Sequence, residues 1–257
     1  MKLSTCGLLG ALVYAVPCCL WAGPPFITDD PEPVPFHHWE IYLASQHAET
    51  RDGWSGTLPF IDANYGAFHD IHLHVATPMN YIRPDQGPHQ YGYGDTEVGA
   101  KIRFLQETDN RPQAAIYPAL EIPTGNEHKG LGSGHTQFFL PVWIQKSWSS
   151  WTSYGGGGYW VNPGAGNRNW VYLGWELQRD LSKQLMLGTE IYHRTAATED
   201  ESAADGFNIG TQFNLSDIYH LLFSAGRDTN GPNRFISYLG LQWTYPPESE
   251  APTIKTK

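Results

Sequence analysis

The sequence predicts an all-β chain: an antiparallel up-and-down transmembrane β-barrel of about twelve strands, preceded by an extended N-terminal segment. Three observations predict it. Apolar residues recur with period two in segment after segment, the mark of strands whose two faces meet different surroundings. The connections between these segments alternate between short and long. The chain is rich in aromatics, with 10 Trp and 14 Tyr, yet after the leader no stretch approaches the run of roughly 18 apolar residues that a membrane helix needs.

The leader sets the compartment. Lys2 is positive, Leu8 to Leu20 is mostly apolar and Ala22 is small, the layout of a secretory signal over residues 1–22 with a mature chain starting at Gly23. Cys6, Cys18 and Cys19, the three cysteines, all fall within it. Pro17 and Cys18 precede Cys18 and Cys19, where a lipidated cysteine wants a small residue, so lipidation is not expected. A mature chain without cysteine has no disulfide, no thiolate metal site and no thiol chemistry. Removing Lys2 takes Lys plus Arg from 16 to 15 against 26 Asp plus Glu, a net charge of about −11. That excludes a nucleic-acid partner, which needs a basic footprint.

Residues 23–37 form the second region. Pro24, Pro25, Pro31, Pro33 and Pro35 remove backbone donors, so the stretch is expected to be extended and unable to join a sheet as an interior strand. Phe26 and Ile27 have little use in a solvated tail, and Asp29 with Asp30 could meet Lys101 and Arg103 from inside a barrel. The expectation is a partial lumen plug, pinned by Phe26, Asp29 and Asp30 and accommodated by Gly155 to Gly158. A polar tail is expected over 246–257.

The barrel itself is expected over 38–245, with strands near 38–47, 56–66, 70–79, 94–106, 112–122, 135–146, 150–161, 168–179, 183–194, 206–215, 218–227 and 233–245. In "DTEVGAKIRFLQE", Val98, Ala100, Ile102 and Phe104 oppose Glu97, Gly99, Lys101 and Arg103; in "RNWVYLGWELQRD", Val171, Leu173, Trp175 and Leu177 oppose Tyr172, Gly174, Glu176 and Gln178. A helix would mix these sets. The connections "AFHD", "QETDNR", "KSWSS", "RDLSK" and "LSDIY" are tight. Those at "HAETRDGWSG", "NYIRPDQGPHQYGYG", "PTGNEHKGLGSG", "NPGAGNR", "TAATEDESAADG" and "DTNGPN" are mostly longer and rich in Gly, Pro and charge. An even number of strands joined alternately by tight periplasmic turns and longer outer loops is what an outer-membrane barrel requires. Trp148 and Trp151 flank one tight turn and Trp160 and Trp170 the next loop, the places of two interfacial girdles.

The inferred inner face carries charge. Glu40, Glu97, Lys101, Arg103, Glu121, Glu176 and Glu190 lie opposite the apolar sets, and in a narrow lumen must pair or meet water. They are the candidate lumen and selectivity residues, or the members of a bracing network. His72 and His74 share a face and are weak metal candidates without a third ligand; no cofactor is expected. "YGGGGYW" lacks the following helix, Lys and Ser of a phosphate loop. His220 and Ser224, four apart on one strand, cannot hydrogen-bond directly and no G-x-S-x-G elbow occurs, so an enzyme is not expected.

"GPPFITDDPEPVPFHHWEIY", "GDTEVGAKIRF", "ALEIPTGN", "WTSYGGGGYWVNPGAGN" and "LFSAGRD" resemble the outer-membrane family labelled "putative MetA-pathway of phenol degradation", over about Gly23 to Tyr245. The resemblance implies a barrel and a transport role, with no catalytic residues. The expected function is therefore an outer-membrane channel passing small molecules, hydrophobic or aromatic ones among them, through a narrow, partly plugged lumen. Its partners are outer-membrane lipid and a small-molecule solute, with the oligomeric state open. The rivals are a non-transporting structural or adhesion barrel and a soluble periplasmic β-sandwich that binds a ligand.

Overall fold

The computed structural model describes residues 23–247; the expected leader and all but the first two residues of the expected C-terminal tail lie outside them. Twelve antiparallel strands run in chain order: β1 (Trp39–Glu49), β2 (Gly53–Phe68), β3 (Ile71–Pro84), β4 in two runs (Gln90–Tyr93 and Thr96–Leu105), β5 in two runs (Gln113–Ile116 and Ala119–Ile122), β6 (Gln137–Trp148), β7 (Trp151–Val161), β8 (Trp170–Asp180), β9 (Leu185–Arg194), β10 (Ala204–Asn214), β11 (Tyr219–Asn230) and β12 (Phe235–Tyr245). Each pairs with its sequence neighbours. β1 also pairs with β12 along its full length, from Trp39 opposite Tyr245 to Glu49 opposite Phe235, which closes the ring and leaves no edge at the seam.

The burial pattern is inverted relative to a soluble protein. Leu173 and Trp175 on β8, Ile191 on β9 and Ile209 on β10 are each half exposed or more, while the intervening Glu176, Glu190 and Asn208 are wholly buried. Apolar residues turned outward and polar ones turned inward suit a wall between hydrocarbon and lumen, and place the barrel in the outer membrane.

Each expected strand is present, but their ends differ. β2 and β3 run for 16 and 14 residues, so the expected long first loop shrinks to residues 50–52 and the second to 85–89. The hairpin pairing continues until Gly53, at φ 131° and opposite Pro84, where the chain turns. The β11–β12 connection is also short, over 231–234, whereas 123–136, 162–169 and 195–203 are long. Prolines sit where the ladder is already interrupted. Pro59 lies in a bulge of β2 between Thr57 and Phe60, and Pro118 in the break of β5, where its carbonyl accepts from Ala100 N at 3.1 Å.

The expected tryptophan girdle is half right. Trp148 is half exposed and Trp151 lies under Arg179, 5.0 Å from ring to guanidinium. Trp160 instead faces inward, 2% exposed, stacked on Phe139 at 4.6 Å and Trp170 at 5.3 Å. Parity explains it: Trp151 and Trp160 stand an odd number of residues apart on one unbroken strand, so they take opposite faces. Exposed aromatics at that end include Tyr91, Tyr93, Tyr159 and Phe235.

Candidate functional site

The segment before β1 runs inside the ring of strands. Its first contacts are on the β8–β11 wall. The Phe26 ring is fully buried against Gly188 of β9 and Gly210 of β10, where an added Cβ would come within 2.8 Å of it. Thr28 nests over Gly174 of β8. Glu190 of β9 fixes this end. Its carboxylate accepts from Ile27 N at 3.2 Å, from Thr28 N and Oγ1 at 2.5 Å each, from Tyr172 OH at 3.1 Å and from Asn208 Nδ2 at 2.7 Å. Ser224 of β11 donates its hydroxyl to the Pro25 carbonyl.

The chain then reaches the opposite wall. Lys101 of β4 donates to Asp29 Oδ1 at 2.9 Å and stands 3.7 Å from Asp30 Oδ1. Val34 N donates to His72 Nδ1 of β3 at 3.0 Å, and His37 N to the Gly66 carbonyl of β2 at 2.7 Å. From there the chain turns into β1. β9 and β3 stand six strands apart in the ring of twelve, so residues 26–34 cross from one wall to the one facing it. The prolines make this path: a chain with few free donors can cross a lumen without leaving buried N–H groups orphaned.

Gly155 to Gly158 do not receive the segment, contrary to expectation. Gly155 lies under the outward Trp175 and Gly157 against Leu173, while the rings of Trp143 and Phe139 cover Gly156 and Gly158 from inside. These glycines let side chains of neighbouring strands lie flat on β7. The inner glycines of β8, β9 and β10 do the work assigned to them.

The seven inward charges separate into groups. Lys101 faces the segment. Arg103 sits at the β2–β3 turn, donating to Asp70 at 2.7 and 2.9 Å and to Gln113 at 3.1 Å. Glu97 and Glu121 are direct partners across β4 and β5. Glu97 also meets His74 Nε2 at 3.1 Å, and His74 Nδ1 meets Asp62 at 3.1 Å and Asn64 at 2.8 Å. Glu40 accepts from Tyr42 OH at 2.5 Å. Glu176 is the direct cross-strand neighbour of Glu190 and is fully buried, and its carboxylate makes no hydrogen bond. His72 and His74 thus have separate partners, and among the described residues no group of three or more His, Cys, Asp or Glu is arranged to hold a metal.

A cavity of about 1030 Å³ opens beside the segment at the end of the tight turns, reaching Ser149, Ser150, Ser182 and Lys183. Amides and hydroxyls dominate its wall, among them Gln145, Gln178, Gln212, Gln242, Asn214 and Thr152. Of the seven expected lumen residues only Glu40 and Lys101 line it. Asp62, Asp180 and Glu32 line it as well and were missed: Glu32 and Asp180 sit at or beyond strand ends, and only its period-two place on β2 marked Asp62. Burial pushes the Asp29 carboxyl up to about 8, with the Lys101 ammonium pulling the other way; Asp29 Oδ2 is buried without a partner.

At the other end the loop over 123–136 folds inward. Asp95, in the break of β4, accepts from Gly125 N at 2.8 Å and from Ser133 N and Oγ at 2.6 and 2.7 Å. Asn80 of β3 donates to the Leu131 carbonyl at 2.9 Å, and Leu131 is 2% exposed.

No curated protein matches the sequence. Among solved structures, the fold is similar to that of an outer membrane channel from Pseudomonas putida F1, with 14% identity and a TM-score of 0.74 over 84% of this chain and 98% of that one. It is also similar to the KdgM porin, at 11% identity and a TM-score of 0.56 over 79% of this chain and 98% of that one. The translocator domain of the autotransporter NalP from Neisseria meningitidis is more distant, at 10% and 0.51 over 80% and 87%. At such identities the likeness is one of fold, that of closed outer-membrane barrels. The model of the family described as "Putative MetA-pathway of phenol degradation" matches residues 53–244, from the start of β2 into the last strand, β12, and the chain belongs to that family.

Proposed function

We propose that the protein is an outer-membrane channel for small solutes whose lumen is narrowed by residues 23–36 acting as a partial plug. The observation that carries this reading is the path of the segment between facing walls, held by Glu190 of β9 at one end and by Lys101 and His72 at the other. A solvated tail would have no reason to bury Phe26 and Thr28 completely. The cavity beside the segment supports a water-filled route. Its lining of amides, hydroxyls and carboxylates suits polar solutes, so the phenol of the family's description is not carried by this site. A channel reading is also favoured over an enzyme: the Ser224 hydroxyl is engaged by the Pro25 carbonyl and His220 Nδ1 by Asn214.

Purified protein in planar bilayers tests the reading. Wild-type barrels should conduct in small steps, and deletion of residues 24–34 should raise unitary conductance several-fold and admit larger sugars in liposome swelling. Equal permeability of the two forms would reduce the segment to a structural strap. Silence of both would leave a non-transporting envelope barrel.

A further inference from the structure

Lys101 is 5% exposed, and its ion-pair partners among the described residues, Asp29 and Asp30, are both on the segment. The wall that carries this cation gives it no acid within 4.0 Å. Arg103, one inward position nearer the tight turns, stands 3.8 Å from the segment's Glu32 as well as pairing with Asp70. Residues 23–36 contain these three acids and neither Lys nor Arg. All three acids line the cavity.

The cavity's formal charge therefore depends on the segment. Its lining holds six carboxylates, three of them on the segment, against the lysines Lys101 and Lys183 and the imidazoles of His72 and His74; counting the lysines alone, the wall without the segment supplies three acids against two cations. Glu97, Glu121, Glu176 and Glu190, four of the five acids that periodicity singles out, do not line it. Fixed charges act on a permeating ion over about a Debye length, roughly 8 Å at physiological salt, and most strongly across a narrow, low-dielectric wall.

Building on the channel reading above, we propose that the N-terminal segment carries the ion selectivity of the pore: Asp29 and Asp30 cancel Lys101 of the cavity wall, Glu32 faces Arg103 just beyond it, and the three acids together make the cavity prefer small cations, inorganic or ammonium-bearing. Ions pass beside the docked segment, and the wall alone is close to neutral. Displacing the segment then changes which ions pass as well as how many.

The test is the reversal potential in a KCl gradient at pH 9, where the Asp29 carboxyl, pushed by burial up to about 8, is ionised. Wild type should prefer potassium over chloride, and the combined Asp29→Asn, Asp30→Asn, Glu32→Gln variant should lose that preference by at least about threefold, as expected when an acidic ring is neutralised. The loss should appear whether or not residues 24–34 of the variant remain protected from protease. Glu97→Gln with Glu121→Gln should change the ratio less. A triple variant that keeps the wild-type ratio, or a wall pair that loses as much, overturns the proposal. Anion preference in wild type overturns it while leaving the channel reading standing; absence of conductance brings down both.

Discussion

Glu190 gathers five donors from the segment and two neighbouring strands onto one carboxylate. Hydrogen bonds to a charged acceptor contribute about 1.5–3 kcal/mol each, so this residue fixes the segment more firmly than the Lys101 pair does. Glu190→Gln leaves an amide nitrogen facing N–H groups. The expected outcome is a folded barrel whose residues 24–34 are cut by a protease that spares wild type. Gly210→Ala acts by shape at the same place, since its methyl would stand 2.8 Å from the Phe26 ring; the same cleavage assay should report release of Phe26. Continued protection in both variants would mean that the far-wall contacts hold the segment alone.

Each strand is a local statement of which face meets lipid, and the cost of violating it depends on depth. Ile209 is at the middle of β10 and 60% exposed, so Ile209→Arg places a guanidinium near the centre of the bilayer. It should lower the stability measured by urea titration in lipid by about 2–4 kcal/mol. Asn208→Asp, one residue away, faces the lumen and adds a charge beside Glu190; it should weaken segment protection with far less effect on the urea midpoint. At this scale the sequence was readable because alternation is written in adjacent residues. Trp160 shows the limit: its position suggested a girdle, but parity along β7 turns it inward, as counting from Trp151 would have revealed.

For the whole molecule, closure through the β1–β12 seam makes the ladder continuous around the ring. No strand can peel without breaking pairing on both sides. The unheated protein should therefore migrate faster than the boiled protein on a denaturing gel, in wild type and in the segment deletion alike. Loss of the mobility shift on deletion would make the segment part of the barrel's structural core. At the other end of the barrel the loop over 123–136 is tied inward to Asp95 and Asn80.

What the sequence by itself determined is the wall: twelve strands, their order, and the face each residue takes, because period two and turn chemistry are local properties that survive any arrangement of distant parts. It also marked Phe26, Asp29 and Asp30 and named Lys101 as a partner, since an acid pair in a proline-rich stretch and buried inward cations each need an opposite charge. Only the tertiary structure decided which glycines receive the segment and which carboxylates meet water. Gly174, Gly188 and Gly210 were as visible in the sequence as Gly155 to Gly158, but a receiving surface is made by three strands side by side and by what crosses from the facing wall. Likewise Glu97 and Glu40 have the same parity, and parity says inward without saying how deep. Whether an inward carboxylate ends in a packed layer beside His74 or on the cavity is fixed by the bulk that fills the lumen around it, a property of the closed ring and of no single strand.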